Sequence, residues 1–149
     1  VVRHCQRLGT DVALLVPTWP VCHQSVSLAA RALEKAGIPT VIMGCARDIV
    51  EHVGVPRFFY SEFPLGHSAG KPHDENSQRR TLAGALRLFA TTTQPRTTMK
   101  SDQIWSQDDS WEKDFLNIQR LSEKEIEKLR EDYKQQRATA AKLKNLSND

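Results

Sequence analysis

Four residues at one point of the chain have the types that redox or nucleophilic chemistry requires. They are Thr18, Trp19, Cys22 and His23, within Pro17-Thr18-Trp19-Pro20-Val21-Cys22-His23-Gln24-Ser25. A cysteine at the start of a helix meets unpaired backbone N–H groups and the positive end of the helix dipole, and both favour thiolate over thiol. A loop that ends in cysteine at a helix start is also the layout of Cys-x-x-Cys redox sites, and here the position three before Cys22 holds Trp19. An indole neither exchanges electrons with a disulfide nor attacks carbon. The tryptophan codon UGG, however, differs by one base from UGA, the triplet read as selenocysteine in selenoproteins. With UGA at position 19 the motif becomes selenocysteine-Pro-Val-Cys. A selenol ionises below a thiol and is the stronger nucleophile at neutral pH, and Cys22 then resolves it through a selenenyl sulfide.

Further candidates lie where a parallel sheet would bring them to the same edge. Cys45 follows the second predicted strand and is either a functional thiol beside Cys22 or ordinary buried packing. His23 either stabilises the Cys22 thiolate and moves a proton, or is a solvent-facing helix residue. His67 and His73 sit in a turn-rich loop and either line a substrate pocket or belong to the polar composition of loops. Cys5, His4 and His52 carry no functional argument.

The elements that position these residues are legible from periodicity. Asp11-Val12-Ala13-Leu14-Leu15-Val16 is a continuous apolar run, as expected for a strand buried on both faces of a parallel sheet. After a loop from Pro17 to Cys22, residues Ser25 to Ala36 carry Val26, Ala29, Ala30 and Leu33 on one helical face, and Gly37 stops that helix. Thr40-Val41-Ile42-Met43 is a second strand, so residues 11–43 form a βαβ unit with a right-handed crossover. A short helix over Arg47 to His52 and an aromatic-rich strand over Arg57 to Phe63 follow. A turn-rich loop then leads to a helix over Gln78 to Ala90. The fold class is therefore α/β: a three-layer domain with a parallel sheet of βαβ units, of the Rossmann/flavodoxin-like kind. Residues 1–92 form this domain, and three strands are few enough that more are expected upstream. Residues 93–110 read as a linker and 111–149 as a charged helical tail. Ser122 and Glu125 form a capping box there, and Ile126, Leu129, Tyr133, Ala140, Leu143 and Leu146 form a sparse apolar stripe.

Composition excludes several classes. The 149 residues carry a net charge of +3 with both signs interleaved, which is not the clustered basic face of a nucleic-acid binder. No apolar run reaches the ~20 residues that cross a bilayer. The chain opens on Val1 with no signal peptide visible, as in a piece of a longer protein. Three cysteines are too few for a disulfide framework and lack the paired spacing of a zinc site, so a reducing cytoplasm is the expected location. Gly-x-Gly-x-x-Gly, a phosphate loop and Gly-x-Ser-x-Gly are all absent from the sequence.

The stretch from Asp11 to Val26, with Ala36-Gly37-Ile38-Pro39-Thr40-Val41 after it, resembles the selenoprotein B family of glycine, sarcosine, betaine and D-proline reductases. Pro64-Leu65-Gly66, Gly70-Lys71-Pro72-His73-Asp74 and Gln78-Arg79-Arg80 look like that family's later loop and helix, so the resemblance covers residues 9–92. It implies reductive cleavage of a C–N bond in a small amino acid or amine by dithiol electrons. It puts Trp19 at the selenocysteine position and Cys22 at the resolving position. It implies a thiol or selenol electron-donor protein as a partner, with any pyruvoyl cofactor on another subunit and none in this chain. Two other readings remain open: a diverged, non-catalytic partner-binding module, and a single-thiol redox protein using Cys22.

Overall fold

A computed structural model of the chain describes residues 1–108, 110–114 and 121–146. It divides into two compact units, Val1–Asp108 and Asp109–Asp149. In the first, α1 (Val2–Arg7) precedes β1 (Ala13–Leu15), α2 (Pro20–Lys35), β2 (Thr40–Gly44), α3 (Arg47–Val53), β3 (Arg57–Tyr60), α4 (Glu75–Thr91) and β4 (Thr97–Lys100). The sheet is wholly parallel, in the order β1-β2-β3-β4. The predicted three-layer α/β architecture is therefore present, with four strands rather than three. Residues 97–100, expected within the linker, pair with β3 through Phe58↔Thr98 and Phe59↔Met99. This strand escaped notice because it lies at the edge and is only half-buried, so it needs little apolar character.

β2 is the strand that burial on both faces describes, since all five of its residues are buried. On one side Ile42 packs with Ala30 of α2, Val50 of α3, Val55 and Phe58. On the other, Val41 and Met43 pack with Phe59 and with Ala85 and Leu88 of α4. Each large side chain so removed from water contributes about 1.5–3 kcal/mol. β1 departs from expectation. It is shorter than residues 11–16, only half-buried, and lies at the edge of the sheet, with Val12 and Val16 exposed.

The core clusters place α2 and α3 on one face and α4 on the other, while the strand order advances in a single direction. The β3-α4-β4 connection therefore has the opposite hand to the two before it, so the sheet contains at least one departure from the usual right-handed crossover. The physical consequence lies at the sheet's carboxyl edge. The loop after β3 must cross over that edge to reach the far face, and so it runs above the start of α2.

α2 begins at Pro20, five residues earlier than its apolar periodicity predicted, with Trp19 as N-cap and proline in the first turn, where its missing N–H costs nothing. It ends as predicted at Gly37 (φ 84°), where Ile38 N–H donates to Leu33 O and Gly37 N–H to Glu34 O, each at 3.0 Å. This pair of bonds is a Schellman closure. α4 starts at Glu75 rather than Gln78 because the Asp74 carboxylate caps it, accepting from Ser77 N–H at 2.9 Å. β3 stops at Tyr60, leaving Phe63 in the loop.

The second unit contains α5 (Ser110–Asp114) and α6 (Glu123–Leu146). The expected capping box is formed: Ser122 N–H donates to Glu125 Oε2 at 2.8 Å and Glu125 N–H to Ser122 Oγ at 3.3 Å. Ile126 is half-buried, and Leu129 and Tyr133 are exposed. The side chains of Ala140, Leu143 and Leu146 lie outside the described residues. No helix among the described residues is long and apolar enough to cross a membrane.

Candidate functional site

Three loops meet at the carboxyl edge of the sheet, where open parallel sheets place their ligand sites: residues 16–19 after β1, 45–46 after β2 and 61–74 after β3. Backbone and side-chain hydrogen bonds join them. Gly66 N–H donates to Thr18 O at 2.9 Å, and Ser68 Oγ–H donates to the carbonyl of the buried Pro17. These bonds are the direct product of the loop that crosses the edge.

Cys22 is the third residue of α2, on the turn that Trp19 caps. Its sulfur is turned back toward the helix start, as the third residue of a capping box is. The Thr18 hydroxyl, 3.9 Å from Sγ, donates to it, and the Trp19 amide faces it. The two groups, the amide first, hold the thiol below its ordinary pKa, since each favours the anion. Trp19 itself is 52% exposed, so its side chain is not a packing element of the core.

His23 is wholly buried, which removes the reading of it as a solvent-facing residue. Its Nε2 accepts from Cys45 N–H at 3.0 Å and Ala46 N–H at 3.2 Å. An atom facing two N–H donors carries no proton, so the proton is on Nδ1, which donates to Trp19 O at 2.8 Å. Burial lowers the imidazole pKa below its usual value, opposed by the bond to Trp19 O and by the Asp48 carboxylate. The ring fits because residue 44 is glycine. A Cβ there would lie 2.9 Å from Nε2 and 3.3 Å from the Pro17 ring. Neutral His23 with both nitrogens engaged is not arranged to carry a proton to or from Cys22.

Cys45 occupies the same edge in the opposite electrostatic condition. Burial pushes its thiol up to about 11, an effect that the neighbouring Ser68 side chain and Phe63 backbone offset only in part. It is a poor nucleophile at neutral pH. His67 stacks on Trp105 with ring centroids 4.8 Å apart, and Trp105 also packs against Phe63 at 5.4 Å. One residue from His67, Gly66 binds Thr18, so this aromatic cluster adjoins the Cys22 loop. His73 is exposed and left-handed (φ 56°) in the turn before Asp74, and among the described residues no contact of the Cys22 loop involves it. The structure thus brings together Thr18, Trp19, Cys22, His23 and Cys45, places His67 alongside them, and leaves His73 apart.

No local pattern signals Trp105, which falls within the expected linker, or Gly44, whose role is visible only once His23 is placed against it. A groove of about 500 Å³ between α2 and α3 also went unpredicted. Pro20, Val21 and Gln24 form one wall and Asp48, Ile49, His52 and Val53 the other. It gives His52 a place across the groove from Pro20, Val21 and Gln24. Among the described residues no cluster of His, Cys, Asp and Glu is arranged to hold a metal ion.

The chain is similar to the gamma subunit of D-proline reductase from Acetoanaerobium sticklandii, with 31% identity over 87 residues. The match covers 58% of this chain and 36% of that subunit, so the chain spans about a third of the length of the curated relative it matches. It is thereby related to a component of a reductase system. No protein-family model and no solved structure matches it.

Proposed function

We propose that this chain carries the redox loop of a selenol/thiol-dependent reductase component of the glycine, sarcosine, betaine and D-proline reductase type. Under this reading codon 19 is UGA and position 19 is selenocysteine. The selenolate attacks the carbon of a small amino acid or amine and displaces nitrogen, which takes a proton. Cys22 thiolate then attacks selenium, the freed carbon takes the second proton, and a selenenyl sulfide remains. A dithiol donor protein returns two electrons and two protons to it, so that C–N becomes C–H plus N–H. Holding the substrate amine, through a pyruvoyl group where one is used, belongs to a partner subunit. A reducing cytoplasm suits the exposed loop.

The observation that carries this reading is the placement of position 19 as N-cap and Cys22 three residues on, with the sulfur stabilised as an anion and turned back toward residue 19. The likeness to a D-proline reductase subunit supports the reaction class. The deciding experiment is to read the triplet for residue 19. UGA with a selenocysteine-insertion hairpin is expected, and the selenocysteine-bearing chain then yields dithiol-dependent amine release when supplied with its partner subunits. UGG without a hairpin overturns the selenol version.

The lowered Cys22 pKa favours a second reading in that event, a single-thiol redox protein. It requires Cys22 to be alkylated by iodoacetamide at about pH 6 faster than an ordinary exposed cysteine. An ordinary rate removes it.

A further inference from the structure

The most completely bonded side chain at the site is one that neither reaction scheme uses. His23 sits in the second turn of α2 with no exposed surface, and three hydrogen bonds engage both of its ring nitrogens. The Trp19 carbonyl accepts twice from this one residue, from His23 N–H at 3.0 Å and from the ring at 2.8 Å. A carbonyl bound from two directions fixes the Trp19–Pro20 peptide plane, and the amide of Trp19, which faces Cys22 Sγ, lies on the other side of the same α-carbon. The other end of the ring is fastened to the amides of Cys45 and Ala46, which leave the central strand β2. The reactive turn is thereby tied to the fully buried central strand of the sheet.

We propose that His23 is the positioning residue of the reactive loop: a neutral imidazole, protonated on Nδ1, that clamps the Trp19 carbonyl to the end of β2 and so holds residue 19, the cap of α2, in place beside Cys22. The proposal rests on Cys22 being the working sulfur. It assigns His23 no contact with substrate and no proton transfer. It also explains the two features that surround the ring. Gly44 lacks a side chain because any Cβ would collide with Nε2 and Cδ2. Ser27, one turn further along α2, is buried with its hydroxyl donating to His23 O, so this face of the helix is closed by its own backbone. The titratable groups around the ring are Cys22 on its own helix, Cys45 beyond β2, and Asp48 on α3, whose carboxylate acts on it through space.

Two measurements on the full chain test this. In the unaltered protein, nitrogen NMR of the His23 ring at neutral pH is expected to show Nδ1 protonated and Nε2 bare; the reverse tautomer or an imidazolium overturns the clamp. The second measurement is the rate of Cys22 alkylation against pH for the unaltered chain, His23→Ala, His23→Gln and Gly44→Ala, with circular dichroism establishing that each variant is folded. Below a thiol's pKa the thiolate fraction falls about tenfold for each unit that the pKa rises. His23→Ala is expected to slow alkylation several-fold at about pH 6 to 7 and move the midpoint up toward that of a free cysteine. His23→Gln, whose side-chain oxygen reaches the Cys45 and Ala46 amides, should recover part of the loss. Gly44→Ala, which keeps the histidine and displaces its ring, should resemble His23→Ala and serves if that variant does not fold. A low midpoint in the unaltered chain that no variant moves refutes the role of His23 alone. An ordinary midpoint in the unaltered chain refutes the role of Cys22, and the two failures are thereby told apart.

Discussion

Replacing Trp19 by cysteine should create a disulfide with Cys22. Residue 19 caps α2 and Cys22 is its third residue, so the two lie one helical turn apart. Side chains three positions apart on a helix have Cβ atoms about 5–6 Å from one another, and bridged cysteines have Cα separations of about 4.4–6.8 Å. The Cys22 sulfur already faces the backbone of residue 19, so half of the bridge is in place. Removing the indole should change stability by no more than about 0.5 kcal/mol, because the side chain is 52% exposed and outside both core clusters. Closing so short a ring restricts the unfolded chain by about 2 kcal/mol on the chain-entropy relation. Oxidised Trp19→Cys should therefore unfold at higher denaturant than its reduced form, by a margin of that order. The assay is an equilibrium titration with reduced and oxidised glutathione, followed by peptide mass mapping. A fragment joining residues 19 and 22 is expected, with Cys5 and Cys45 left as free thiols. Trp19→Cys combined with Cys22→Ser should form no such bridge. If the single variant keeps position 19 reduced under oxidising glutathione, or joins it to Cys45, then position 19 does not face Cys22 and the redox-loop reading fails.

Four further outcomes follow from the same structure. Cys45, with its thiol raised to about 11 by burial, should resist alkylation in the native chain at about pH 8 and label only after unfolding, which sequential isotopic alkylation will show. Because His23 takes up a proton less readily folded than unfolded, its contribution to stability should be complete above the ordinary imidazole pKa of about 6.5 and decline as the pH falls below it. Urea titrations across that window should show the slope, and His23→Gln should flatten it. Glu34→Ala should cost about 2–3 kcal/mol in denaturant unfolding, because Glu34 Oε1 accepts from Thr40 N–H, Thr40 Oγ–H and, at 2.8 Å, the Arg57 guanidinium, all in a site about a fifth exposed. Gly84→Ala should destabilise by about 1–3 kcal/mol, because the added Cβ would meet the Phe59 ring at 2.4 Å, and the ~1 kcal/mol that alanine gains in a helix does not offset that overlap.

What the sequence disclosed was whatever depends on near neighbours. Gly37 announced the end of α2 and Ser122 with Glu125 the start of α6, since both are local hydrogen-bonding devices. β2 announced itself by an unbroken apolar run because it is covered on both sides. β1 has an equally apolar run, but its place at the edge depends on which strands pair with it, and no local pattern encodes that. β4 failed for the complementary reason: Thr97 and Thr98 have strand propensity but little hydrophobicity, and at a half-exposed edge that is sufficient. The first turn of α2, which starts at Pro20, carries no apolar periodicity of its own, and Trp19-Pro20 is equally compatible with a loop. His23 and Ser27 are polar residues on the face of α2 that Ala30 and Leu33 continue, and the room for the His23 ring rests on Gly44, far along the chain. Of the candidate site, the cysteine near a helix start was therefore legible, while the extent of its turn and the histidine's role were not.

The difference between the two sulfurs at this edge traces back to the hand of one connection. Had α4 packed on the same face as α2 and α3, the chain would have had no reason to pass over the carboxyl edge after β3. Because α4 lies on the far face, residues 61–74 cross that edge. In crossing they fasten Gly66 to Thr18 and Ser68 to Pro17, and they lay Phe63 and Ser68 against Cys45. The cover falls on the β2 side of the edge and stops at Thr18. Cys45 is thus desolvated and held as a thiol. One loop away, Cys22 keeps its solvent access and its two hydrogen-bond donors and is held toward the thiolate. A single topological choice at β3 therefore selects which sulfur is silent and which is available.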